Sequence, residues 1–189
     1  MKSIKRRFNL LKYLDELNSG ICTVFMLHRV NELEKNKLSS NENLKISPHF
    51  LDSFIINLKN KGFNFISLDE LYSILKSGKT ARKKIVFTLD DGYKDNYISA
   101  YPIFKKHNVP FTIYVSTSFP DQKAILWWYI LEDLIIREDS ISLMNAHKFE
   151  CITKSQKEIT FLKIRDIILK LGKENFIDNL SQLFNNYCI

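Results

Sequence analysis

Short apolar runs alternate with amphipathic stretches along most of this chain, and that rhythm predicts an α/β fold. Ile21 to Leu27 (ICTVFML) is apolar and rich in β-branched residues, which predicts a fully buried strand. Asn31 to Leu44 is polar and reads as a loop. Ser47-Pro48 then opens a helix, with Ser as the cap and Pro in the first turn. Phe50, Leu51, Phe54, Ile55 and Leu58 lie on one stripe of it, and Gly62 ends it. Phe63 to Ile66 reads as a second strand. Ser67 and Glu70 have capping-box spacing for the next helix, whose inner face is Leu71, Ile74 and Leu75 and whose end is Gly78. Lys84 to Leu89 is a third strand, and Phe111 to Val115, after Pro110, a fourth. Between them Asp95 to Lys106 is helical, interrupted at Tyr101-Pro102. Leu126 to Ile136 predicts an apolar helix, Phe149 to Ile152 a weak strand, and Ser155 to Leu171 and Glu174 to Tyr187 two helices joined at Gly172-Lys173.

Strand and helix alternate through the first two thirds of the chain, which calls for a parallel sheet covered by helices. Right-handed crossovers bring the C-terminal ends of the strands to one edge, where ligands bind in both open sheets and barrels. His28, Ser67, Asp90-Asp91 and Ser116 all fall at such ends.

Composition narrows the picture. The chain has 189 residues, 45% of them hydrophobic and 13% aromatic, enough for one domain with a sizeable core. No apolar run is long enough for a transmembrane segment. Met1 to Arg7 is basic, but Phe8 to Asn18 is an amphipathic helix pattern broken by Lys12, Asp15 and Glu16 and not a secretory core. A cytoplasmic protein is expected, with the basic start able to touch an anionic membrane surface peripherally. The net charge of +7 comes from dispersed lysines, and no nucleic-acid-binding module is visible, so no nucleic-acid partner is expected. Cys22, Cys151 and Cys188 are far apart and form neither a disulfide framework nor a Cys-x-x-Cys site; reduced structural thiols are expected.

The chemistry concentrates at Ile85 to Asp95 (IVFTLDDGYKD), where a strand ends in two adjacent carboxylates and a glycine. Asp-Asp-Gly by itself makes an ordinary turn. Two neighbouring negative charges beside a low-dielectric core are costly, however, and such pairs commonly persist around a cation.

Several ordered motifs resemble the polysaccharide deacetylase family, the NodB-homology proteins of carbohydrate esterase family 4. They are Met26-Leu27-His28-Arg29-Val30, Phe63 to Leu71, Phe87-Thr88-Leu89-Asp90-Asp91-Gly92-Tyr93-Lys94-Asp95-Asn96, Tyr101-Pro102-Ile103, and Val109 to Val115. Leu126-Trp127-Trp128 is similar to the branch found in surface-glycan gene clusters. The likeness covers residues 20–136 of a single domain spanning 1–189, with 155–187 as a helical, insertion-like region. It implies a parallel (β/α) barrel-like NodB-type fold with a helical C-terminal segment. It also implies a metal-dependent hydrolase that removes N-acetyl or O-acyl groups from a polysaccharide or surface glycan. Asp90 would be the general base and Asp91 a ligand of a divalent ion, Zn²⁺ or similar.

The resemblance is incomplete. Leu89 stands where the family carries Phe, and Tyr129 where an acidic residue often follows the Trp pair. The family completes its metal site with a His-x-x-x-His motif; the four histidines here, His28, His49, His107 and His147, include no such pair. An N-terminal portion of the fold, an incomplete barrel, is therefore expected. It would be completed by a partner segment or a second copy, because an open parallel edge invites pairing. His28 shares the rim with Asp90 and is a candidate neighbour of substrate or metal, or a structural histidine. His49 and His107 read as structural. Trp127 and Trp128 read as core rather than as a sugar platform. Three functions are open: a glycan deacetylase, a catalytically inactive glycan-binding or interaction remnant of the same fold, and Mg²⁺-dependent phosphoryl chemistry. The last is disfavoured, because no Asp-x-Asp and no Gly-rich phosphate loop is present.

Overall fold

The computed structural model describes residues 20–78, 82–144, 148–172 and 174–187. The amphipathic pattern of Phe8 to Asn18, His147, Lys173 and Cys188 lie outside the described residues. The chain divides into two compact units, Met1–Glu32 with Lys45–Thr117, and Leu33–Leu44 with Ser118–Ile189.

The first unit is built on a parallel sheet. Its strands are β1 (Cys22–Leu27), β4 (Asn64–Phe65), β5 (Lys84–Leu89) and β6 (Phe111–Ile113); the two-residue strands β2 (Arg29–Val30) and β3 (Lys45–Ile46) pair separately. β1 runs along the whole of β5, from Cys22 opposite Lys84 to Leu27 opposite Leu89. β4 takes the other edge of β5 at its start and β6 takes it at its end. Every pair is parallel, as the alternating pattern requires. Central β5 is buried from Ile85 to Leu89. β1 is not the fully buried strand expected: Val24 and Met26 are exposed, because among the described residues β1 has a partner on one side only.

Helix α1 (Pro48–Asn60) begins where Ser47 Oγ accepts the Phe50 N–H at 3.1 Å. It buries Leu51, Ile55 and Leu58, which share a face at helical spacing. Phe50, expected on that stripe, is exposed and stacks on Phe54 at 5.6 Å. Helix α2 (Leu68–Ser77) carries both bonds of the capping box and ends at Gly78 in the left-handed region. None of its residues is buried, and Leu75, expected on its inner face, is exposed. After β5 the chain makes a π-helical turn, Asn96–Ala100, before α3 (Tyr101–Lys106). Pro102 has no N–H to give to Ile98, and the wider turn moves the Tyr101 N–H onto the Asn96 carbonyl. This is the physical form of the expected interruption. The core centres on Phe87, whose ring meets those of Phe25, Phe54, Phe65 and Phe104 at 5.2 to 6.4 Å between centroids.

The second unit holds α4 (Trp127–Arg137), an antiparallel pair β7 (Ser140–Ser142) and β8 (Lys148–Glu150), α5 (Lys154–Ile168) and α6 (Phe176–Leu183). β7 was not legible from periodicity, being only three residues long. Leu134, Ile135, Ile141, Phe161, Ile164 and Ile168 form its core, and Trp127 and Trp128 pack partly buried against it. Lys157 Nζ donates to the carbonyls of Ile135, Ile136 and Glu138 at 2.7 to 3.1 Å, closing the C-terminus of α4 with a cation. The segment expected as a plain loop contributes a single helical turn, Ser39–Glu42. Its amides are anchored by carboxylates: Leu38 N–H donates to buried Glu132 at 2.7 Å, and Ser39 N–H donates to Glu158 at 2.5 Å.

Candidate active site

The Asp90-Asp91 pair stands at the C-terminal end of the central strand. Asp90 N–H donates to the Leu27 carbonyl at 2.8 Å, and Tyr114 N–H donates to the Leu89 carbonyl at 2.8 Å. The end of β5 is therefore tied to β1 on one side and to the residue after β6 on the other. The register sets Leu27 opposite Leu89, so His28 and Asp90 leave the sheet from adjacent strands, which lie about 4.8 Å apart. His28, Asp90 and Asp91 are all half-buried. Their side chains make no hydrogen bond or ion pair with the described residues. The acids are thus not consumed by ordinary turn bonding.

The turn has an unusual backbone. Asp91 and Gly92 sit in succession in the left-handed region, with φ of +71° and +74°. Glycine is required at the second position twice over. A side chain would be strained there, and its Cβ would come within 3.1 Å of both γ-carbons of Val115.

Beyond the turn the structure shows a polar cluster that sequence reasoning did not single out. Asp95 and Asn96 are buried. Arg29 Nε and one of its terminal nitrogens both reach Asp95 Oδ2 at 2.9 Å. Val30 N–H and Asn96 Nδ2 each approach Asp95 Oδ1 at 3.4 Å, and Asn96 Nδ2 donates to the His28 carbonyl at 2.9 Å. The Arg29 guanidinium also lies 4.8 Å from the centre of the Tyr93 ring. A signal was present in the sequence: one cation and one anion follow two strands that end on the same rim.

Residues 77–162 match the family described as polysaccharide deacetylase. Residues 77–162 are thus similar to a polysaccharide deacetylase domain. The poly-β-1,6-N-acetyl-D-glucosamine N-deacetylase of Staphylococcus aureus is 32% identical over 76 residues, which cover 40% of this chain and 26% of the relative. YxkH of Bacillus subtilis (strain 168), provisionally named a polysaccharide deacetylase, is 30% identical over 81 residues, covering 42% of this chain and 29% of the relative. The chain thus spans under a third of the length of these curated relatives. Among solved structures, the Streptococcus pyogenes deacetylase PplD in complex with acetate is 25% identical with a TM-score of 0.47, covering 57% of this chain and 47% of that one.

Members of the polysaccharide deacetylase family are generally metal-dependent. Among the described residues here, no three His, Cys, Asp or Glu side chains come together to hold a metal ion. A structural or catalytic zinc site needs at least three protein donors, most often nitrogen or sulfur. The described residues do not by themselves fit the ion.

Proposed function

We propose that this chain carries the acid-bearing part of a glycan deacetylase, a hydrolase that cleaves the amide bond of N-acetylated amino sugars. The observation that carries the reading is the unengaged Asp90-Asp91 pair at the C-terminal end of β5, beside His28 at the end of β1. The Staphylococcus aureus relative, named for its action on an N-acetylglucosamine polymer, supports the substrate class. In this reading Asp90 takes a proton from water as the water oxygen bonds to the acetyl carbon. The proton is then returned to the sugar nitrogen as the C–N bond breaks, leaving acetate and a free amine. Asp91 is the residue we assign to a divalent ion, and His28 a neighbour of substrate or ion. The remaining donors for an ion are not among the described residues. A partner segment or a second copy of the chain would supply them. No described helix is long and apolar enough to cross a membrane; cytoplasmic residence with peripheral membrane contact is part of the same proposal.

The test is acetate release from an N-acetylglucosamine oligomer, with zinc supplied, by the wild-type chain and by Asp90→Asn. Release by the wild type and none by the variant supports the reading. Equal release by both ends it. The lack of a three-donor cluster among the described residues favours a second reading, a glycan-binding or interaction remnant without catalysis. One-to-one zinc retention together with acetate release excludes that alternative.

A further inference from the structure

We propose that the Arg29–Asp95 ion pair is a positioning device for the acid turn, fixing the backbone on which Asp90 and Asp91 are carried; the proposal rests on the deacetylase reading of those acids. The turn is fastened at both ends to one short stretch of chain. At its start, Asp90 N–H bonds the Leu27 carbonyl. At its end, Asp95 is held by Arg29 and by Val30 N–H, and Asn96 reaches back to the His28 carbonyl. Residues 90–96 therefore form a loop closed against residues 27–30.

Between the two fastenings Asp91 adopts a left-handed backbone. Aspartate enters that region more readily than most L-residues, but still at a cost, so the conformation depends on how the turn is held. The carbonyl bond at the start of the turn fixes only Asp90. The far end is fixed by the ion pair, with Val30 N–H on the same carboxylate and Asn96 on the His28 carbonyl beside it. The side chains of the pair are 19% and 9% exposed, so solvent screens it far less than a surface pair. Arg29 is also packed over Tyr93, inside the loop it closes. Neither Arg29 nor Asp95 is bonded to the side chain of Asp90 or Asp91; they act through the backbone between them.

The experiment uses the full chain, labelled with ¹⁵N and ¹³C, as wild type, Arg29→Met, Arg29→Lys and Asp95→Asn. The backbone shifts and coupling of Asp91 report its left-handed conformation, and amide exchange at Val86 and Phe87 reports the sheet. The expected result is loss of the left-handed signature in Arg29→Met and Asp95→Asn, its partial retention in Arg29→Lys, and unchanged exchange protection in β5. Acetate release should fall about 10- to 100-fold in kcat, with KM within about twofold, as misplacement of a reacting group predicts. Absence of turnover in the wild type would count against the deacetylase reading, while the signature of Asp91 would still decide the role of the pair. Retention of that signature in Arg29→Met overturns the proposal. So does its loss only together with β5 protection, which would make the pair an ordinary support of the fold.

Discussion

The N–H of Asp90 donates to the carbonyl of Leu27 at 2.8 Å, so the last rung between β1 and β5 is made by the residue proposed as the base. The backbone of Asp90 belongs to the sheet while its side chain leaves it. The Asp90 amide is therefore expected to exchange with solvent as slowly as that of Phe87, and the Lys94 amide, on the exposed far side of the turn, much faster. Residue-resolved hydrogen exchange checks this; fast exchange at Asp90 would detach the turn from the sheet.

Gly92→Ala is expected to destabilise the chain by about 1–3 kcal/mol, by combining a disfavoured backbone with a close approach to Val115. Only the second effect can be relieved from outside. Gly92→Ala with Val115→Ala should recover part of the loss in denaturant unfolding, and full recovery would show that backbone strain contributes nothing.

Phe87 is fully buried and lies among four other rings. Phe87→Ala should cost about 3–5 kcal/mol through lost contacts and the cavity left behind. Phe50→Ala, at a ring that is exposed and stacked on Phe54, should cost under about 1 kcal/mol. Chemical denaturation of the two variants measures the contrast.

Ser67 accepts the Glu70 N–H at 3.1 Å, and the Glu70 carboxylate accepts the Ser67 N–H at 2.8 Å. Ser67→Ala should destabilise by about 1 kcal/mol. Because α2 buries none of its own residues, the helix depends on its ends, and circular dichroism should show fraying before global unfolding.

Glu158 supplies a pH-dependent part of stability. Partial burial pushes its carboxyl up, but the bonds it accepts from Ser39 and Ser40 together outweigh that and leave it below the ordinary glutamate value. A carboxyl lowered on folding contributes fully above its unfolded-state value, and the contribution fades as pH falls through the lower folded-state value. Glu158→Gln should therefore destabilise at neutral pH and flatten the acid limb of the stability curve. Melting temperatures from pH 7 downward test this, and parallel curves for the two proteins would refute it.

What the sequence determined by itself was local in origin. Ser47-Pro48, the Ser67-Glu70 box and Gly78 announced their helix ends because capping is a matter of a few adjacent residues. The run Lys84 to Leu89 read as a strand because its period and β-branching need no knowledge of partners, and the Asp pair was visible as the end of that run. The tertiary structure alone decided which faces were covered: Val24, Met26, Phe50 and Leu75 are as apolar as their buried neighbours, and exposure depends on what packs opposite. It alone joined Arg29 to Asp95, 66 positions apart, and put Asp91 in a left-handed turn. No periodicity encodes a contact at that separation; it exists because β1 and β5 lie side by side, and their pairing brings the two ends of a charged loop together.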